Sequence, residues 1–99
     1  MSLFELGRIV MTAGVKERME QDPSMRSFLD GCLKRHSVGD WGCLDEEDKE
    51  MNDAALEVER TGEGEPDSLM SVYRKDGSEY WIITEWDRSV TTILLPCEY

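Results

Sequence analysis

The hydrophobic positions of this chain switch from strand-like to helical spacing and back again. Leu3 to Met11 (LFELGRIVM) is rich in β-forming residues with partial alternation, which predicts a short strand. Gly7 inside it marks a bulge or a close backbone contact. Thr12 can cap a short helix running to about Glu20. Asp22-Pro23 then reads as the N-cap and first position of a second helix. Its apolar side chains are Met25, Phe28, Leu29, Cys32 and Leu33, with His36 next in the series. Offsets of three and four place them on one face. Gly31 weakens this helix by about 1 kcal/mol relative to alanine, and Gly39 ends it.

Gly39-Asp40-Trp41-Gly42 is a turn with a large aromatic in its middle. Asp45 caps a third helix, and Asp48 three residues on makes a weaker form of the capping box. Glu46 and Glu47 favour the positive end of its dipole. Leu44, Met51, Ala55 and Val58 are the expected buried stripe. Thr61 to Asp67 (TGEGEPD) is a loop by composition. The last third is β. Leu69 to Arg74 and Glu79 to Trp86 flank Lys75-Asp76-Gly77-Ser78, where Asp-Gly is a strong hairpin signal. Asp87-Arg88-Ser89 makes a second turn, where Glu85, Asp87 and Arg88 fit turn chemistry and a local ion pair better than a carboxylate site. Val90 to Leu95 is a third strand that Pro96 ends. The pattern predicts one α+β domain over residues 1–99. An antiparallel sheet of three to four strands, with the N-terminal strand as the fourth, is covered by two or three helices.

Charge changes this picture in one place. The 99 residues carry 22 acidic and 11 basic side chains, a formal net charge of −11. Residues 1–39 hold six basic and five acidic groups, and residues 68–99 hold three and five. Residues 40–67 hold two basic and twelve acidic groups, so one segment carries almost the whole imbalance. A net charge of this sign argues against direct binding to phosphate backbones, where Lys and Arg supply most of the affinity. It suits a basic protein partner. On the third helix Glu46, Glu50, Asp53 and Glu57 recur at steps of four, three and four. They form one stripe, spaced about 4.5–6 Å along the axis. Such a row can compete for a basic nucleic-acid channel, with an attraction that weakens with salt. Like charges at this spacing cost a few tenths of a kcal/mol each, and few lysines offset them. That repulsion marks Glu46, Glu50, Asp53 and Glu57 as the expected partner-binding surface.

Three cysteines are an odd number, which fits free thiols or metal ligands better than a disulfide framework. Cys32 and His36 lie four apart, about 6 Å along one helix face. Cys43 follows the glycine-flanked turn, close enough to fold back on them, and Cys97 after the last strand can reach the same place. A nitrogen and sulfur set of this kind suits a tetrahedral structural zinc. Zinc is therefore the expected cofactor, with Cys32, His36, Cys43 and Cys97 as its ligands. Asp40, Asp45, Asp48 or Glu85 can replace one of the cysteines. In the competing reading Cys32 is a small core hydrophobe and His36 a hydrogen-bonded core histidine. No G-x-G-x-x-G, Walker A or H-E-x-x-H motif is present. No local motif supports Cys43, His36 and Asp40 as a catalytic triad, so no enzymatic activity is expected. No stretch approaches the roughly 18 apolar residues of a membrane span. The first residues lack the basic start and long apolar run of a signal peptide, so the cytoplasm is the expected compartment.

Two segments carry a family resemblance. Arg35 to Gly42 reads RHSVGDWG, and Ile83 to Pro96 reads ITEWDRSVTTILLP. With the acidic helix between them, they resemble a family of small proteins carried on phages, plasmids and other mobile elements. Its segments have the form RHxxGDWG and ITExDRSxTTxLLP. Within that group the chain is similar to type II-A anti-CRISPR proteins, which inhibit Cas9. The resemblance implies a partner protein, Cas9, whose guide or target-DNA loading or cleavage is blocked inside a bacterial host cell. Some inhibitors of that group contain zinc. The family's usual ending has an acidic residue where this chain has Cys97. A reading of a different class is a metal-stabilised accessory protein of a mobile element that binds another basic partner. Neither expects direct binding to nucleic acid or to a membrane.

Overall fold

The structure, a computed structural model, describes residues 2–99. A short strand β1 (Arg8–Met11) leads into α1 (Ala13–Gln21), α2 (Met25–Ser37) and α3 (Glu46–Thr61). Then come β2 (Leu69–Lys75), β3 (Ser78–Thr84), β4 (Val90–Leu94) and a 3₁₀ turn, Pro96–Glu98. The class is α+β, with three α-helices and one four-stranded sheet in the order β1-β4-β3-β2. The sheet is mixed, which corrects the antiparallel expectation. β2 pairs with β3 and β3 with β4 antiparallel, but β1 lies parallel to β4, from Arg8 opposite Val90 to Met11 opposite Ile93. Parallel neighbours need a long crossover. Here the three helices and the β2–β3 hairpin all lie between the two strands.

Residues Leu3 to Leu6 stay outside the sheet. The Leu3 N–H donates to the Ser37 carbonyl at 2.8 Å, and the Thr91 hydroxyl donates to the Leu6 carbonyl at 2.6 Å. Gly7 (φ 65°) supplies close approach: a Cβ there would lie 2.4 Å from the carbonyl oxygens of Arg88 and Ser89. In the hairpin, Asp76 (φ 52°) and Gly77 (φ 79°) are both left-handed, as a two-residue type I′ turn requires.

Helix ends depart from expectation in instructive ways. α2 begins at Met25, and the Asp22 carboxylate accepts from the Ser24 N–H (2.9 Å) and hydroxyl (2.7 Å) in a turn before it. The start of α1 is capped from the far end of the chain. Glu98 accepts from the Thr12 hydroxyl at 2.5 Å and the Gly14 N–H at 3.0 Å. The start of α3 follows the sequence: Asp45 accepts from the Asp48 N–H at 2.9 Å, and left-handed Gly62 closes the far end.

One face of the sheet packs Tyr73, Tyr80, Ile82 and Ile93 against Val15, Met25, Leu29 and Cys32 of α1 and α2. Burying one such aliphatic side chain is worth about 1.5–3 kcal/mol. A second cluster joins Phe4, Trp41, Leu44, Leu69 and Val72 to Ala55 of α3. The buried face of α3 is Asn52 and Ala55, while Met51 is 60% exposed and Val58 half-buried. The expected stripe is therefore rotated by about one residue, because a polar residue occupies its centre.

Candidate functional site

The RHSVGDWG segment holds the α2–α3 connection against the sheet. Arg35 and Asp40 pair through two contacts, Nε to Oδ2 at 2.7 Å and Nη2 to Oδ1 at 3.2 Å. The Arg35 guanidinium holds the Asp40 carboxyl below its usual range. Asp40 also accepts from the Gly42 N–H. Gly42 has φ 71°, and a Cβ there would stand 2.1 Å from the Val72 carbonyl oxygen. On either side of it, the Val72 N–H donates to the Trp41 carbonyl (3.2 Å) and the Cys43 N–H to the Val72 carbonyl (2.6 Å). Two residues along β2, Asn52 does the same for Met70. Its Nδ2 donates to the Met70 carbonyl at 2.7 Å and its Oδ1 accepts from the Met70 N–H at 3.2 Å. β2 is an edge strand. These bonds satisfy backbone groups that otherwise offer a template for pairing with another chain.

His36 is fully buried between α2 and the sheet. Its Nδ1 lies 2.5 Å from the Ser71 hydroxyl and its Nε2 2.9 Å from the Thr84 hydroxyl. The tautomer follows from the end of this chain of bonds. Thr91 must donate to the Leu6 carbonyl, because a carbonyl only accepts. Thr84 therefore donates to Thr91 (2.7 Å) and accepts from His36, which puts the ring proton on Nε2. Nδ1 is left to accept from Ser71. Phe4 and Trp41 stand edge-on to the imidazole at 5.3 and 5.5 Å between ring centres. Burial, aided by the Arg88 charge, pushes the His36 pKa down to about 4. Such a ring is a neutral structural group at neutral pH.

The four expected zinc ligands are not brought together. Cys32 lies on the same buried face as His36, among the apolar side chains under α2, and burial pushes its thiol up to about 11. Cys43 and Cys97 are exposed. Both His36 nitrogens already have partners. Among the described residues, no group of three or more His, Cys, Asp or Glu side chains is placed to hold a metal ion. As arranged here, these residues do not fit a zinc centre.

The acidic row is a different matter. Glu46, Glu50, Asp53 and Glu57 are all exposed on the side of α3 away from the sheet. Their local ties differ. Glu46 reaches Lys49 at 3.5 Å, Glu57 pairs with Arg60, and Asp53 accepts from the Trp41 indole N–H at 3.1 Å. The Arg60 guanidinium holds the Glu57 carboxyl below its usual range. Glu50 has no polar side-chain partner among the described residues, and neither do the neighbouring Glu47 and Asp48.

Two polar residues organise the surroundings: Asn52, which the sequence reading did not single out, and Arg88, whose ion pair it expected to be local. Asn52 sits where a hydrophobic stripe was expected, and an Asn at a helical core position is itself the signal. Arg88 belongs to the second turn, but its ion pair is not local. Its Nε donates to Glu59 of α3 at 2.6 Å, and its Nη1 donates to the carbonyls of Asp67 and Glu85 at 2.8 and 2.9 Å. Arg88 is also left-handed (φ 59°), a conformation uncommon outside glycine and asparagine.

No protein-family model, curated protein or solved structure matches the chain. No helix among the described residues is long and apolar enough to cross a membrane.

Proposed function

We propose that this chain is a protein-binding inhibitor that sets a row of carboxylates, carried on a rigid helix, against a basic nucleic-acid-binding surface of another protein. Cas9 is the partner that the RHSVGDWG and ITEWDRSVTTILLP segments imply. The blocked step is loading of nucleic acid or its cleavage. The observation that carries this reading is the outer face of α3. Glu46, Glu50, Asp53 and Glu57 are exposed there, and only Lys49 and Arg60 on the same helix offset them. A fixed row of one sign steers an oppositely charged partner and speeds its association at low salt.

The test is cleavage of a guide-matched DNA by Cas9 with and without the protein. Inhibition that weakens as salt rises is the expected result. The double variant Glu50→Lys/Glu57→Lys should remove it while keeping the melting temperature, because Glu50 has no polar partner among the described residues and the exposed Glu57–Arg60 pair is worth little. Asp53 is left in place, since it holds the Trp41 indole. Full inhibition by the double variant overturns the role of the row. No inhibition by the unaltered protein overturns Cas9 as partner and favours the accessory-protein reading.

A further inference from the structure

The loop after α3 closes over an apolar cleft on the other flank of the helix. The cleft has a volume of about 290 Å³ and lies between the C-terminal half of α3 and the β3–β4 turn. Ala55, Val58 and Pro66 give it an apolar wall, and Trp86 stands at its side. Trp86 is 58% exposed and makes no hydrogen bond or ring contact among the described residues. The other two tryptophans are packed, each with its indole N–H on a carboxylate: Trp41 on Asp53, Trp81 on Glu79. Tryptophan is among the residues enriched at the energetic centres of protein interfaces.

The loop sequence GEGEPD alternates in its use. Gly62, Gly64 and Pro66 line the cleft, and the intervening Glu63 and Glu65 are exposed with no ion-pair partner among the described residues. Gly64 (φ 107°) lies tight on the helix, with a built Cβ 3.1 Å from Val58 Cγ2. The one cation in the lining, Arg88, is already spent on Glu59 and two carbonyls. An indole face, an apolar wall, the lining carboxylates Glu59 and Asp87 and the neighbouring exposed Glu63 and Glu65 recognise one chemistry together. A long cationic side chain lays its alkyl stem on the wall, and a planar guanidinium stacks on the indole better than an ammonium does.

We propose that this cleft is the anchor pocket for an arginine side chain presented by a basic segment of the partner protein. The proposal rests on the acidic-surface reading above and deepens it. The row on α3 supplies long-range attraction that salt screens, and the cleft supplies a short-range hold that salt weakens far less.

The test uses the full chain with labelled nona-arginine and nona-lysine peptides, whose affinities are measured at low and at high salt. The unaltered protein should bind nona-arginine at least threefold more tightly than nona-lysine. Trp86→Ala should weaken nona-arginine about tenfold and erase the preference, and Trp86→Phe should keep part of it. In the unaltered protein, nona-arginine should shift the Trp86 indole N–H signal in a proton–nitrogen spectrum and leave those of Trp41 and Trp81 in place. Glu50→Lys/Glu57→Lys should weaken both peptides alike and flatten the salt dependence. Nona-arginine affinity within twofold in Trp86→Ala, or an unmoved Trp86 signal, overturns the pocket. The α3 row stands in that case if its double variant still loses binding. A double variant that binds both peptides normally, beside a Trp86→Ala that does not, overturns the row and supports the pocket.

Discussion

Arg88 and Glu59 form an ion pair that ties the β3–β4 turn to α3, with Nε 2.6 Å from Oε1. The arginine side chain is 9% exposed and the glutamate 35%. The same guanidinium satisfies the Asp67 and Glu85 carbonyls and lies over the Phe4 ring at 5.8 Å. One side chain thus joins four separate stretches of the chain. Breaking a buried pair by removing one partner costs about 3–5 kcal/mol, and the partial exposure of Glu59 reduces that. Arg88→Leu should therefore lose about 2–3 kcal/mol in urea unfolding. Arg88→Lys should lose a good part of this as well, because an ammonium cannot reproduce the fork that reaches three acceptors. A loss under about 1 kcal/mol for Arg88→Leu would refute the role given to this residue.

The buried His36 predicts a pH dependence with a definite sign. Its pKa is lowered from 6.5 to about 4, first by burial and then by the Arg88 charge. Between those values the unfolded chain binds a proton that the folded chain does not, so stability rises with pH across that interval. The contribution is fully present above about 6.5 and is lost as pH falls toward 4. Its size is at most about 3 kcal/mol. Asp40 and Glu57 are held below the usual carboxylate range by arginines, so their losses come at lower pH. Chemical denaturation between pH 4.5 and 6.5 should show the slope in the unaltered protein and a much flatter profile in His36→Gln. Equal slopes in the two proteins would assign the effect elsewhere.

What the sequence revealed divides by the range of the interactions involved. The Asp76-Gly77 hairpin and the Asp45 cap were legible because each is decided within four residues. The shared face of Cys32 and His36 was legible from helical spacing alone. β1 was not assigned its parallel neighbour, since nothing local distinguishes pairing with β4 from pairing with another strand. Met51 was placed inside because hydropathy favours it over Asn52, yet the edge of β2 offers Asn52 a donor and an acceptor at once. Cys43 was expected to fold back on His36. Gly42 instead docks against Val72, and Cys43 is left exposed just beyond it. The reach of Arg88 to Glu59 spans 29 residues, which no window of the sequence displays. The shared face of the acidic row follows from helical spacing, and all four members are exposed, although one of them, Asp53, has a structural tie to Trp41.

Gly42 and Gly62 make a controlled comparison. Both are left-handed, at φ 71° and 74°, so alanine meets the same backbone penalty at each. Around Gly62 a Cβ meets nothing within 4 Å, whereas at Gly42 it meets the Val72 carbonyl at 2.1 Å. Gly62→Ala should cost about 1–2 kcal/mol, the penalty of the conformation alone. Gly42→Ala should cost about 2 kcal/mol more, because the connection must lift off and release the bonds to Val72. It should also self-associate, since the edge of β2 is then uncovered. Urea unfolding and light scattering measure the two effects. Equal losses in the two variants would show that the Gly42 contact contributes nothing to stability.

The cysteines decide between a packed core and a metal centre. Cys32 is buried among apolar side chains and its thiol is pushed up to about 11, so it should be inert toward alkylating reagents at neutral pH. Cys43 and Cys97 are exposed, so two of the three thiols should react in the folded protein and the third only on unfolding. Metal binding that builds a structural site normally couples to folding. With both ring nitrogens of His36 bonded to hydroxyls, chelator treatment should leave the melting temperature unchanged. The opposite result is equally specific. About one zinc per chain, protection of Cys43 and Cys97 from alkylation, and a melting temperature that falls on chelation would together require the ring to leave Ser71. The chain would then gather Cys32, His36, Cys43 and Cys97 in an arrangement different from this one.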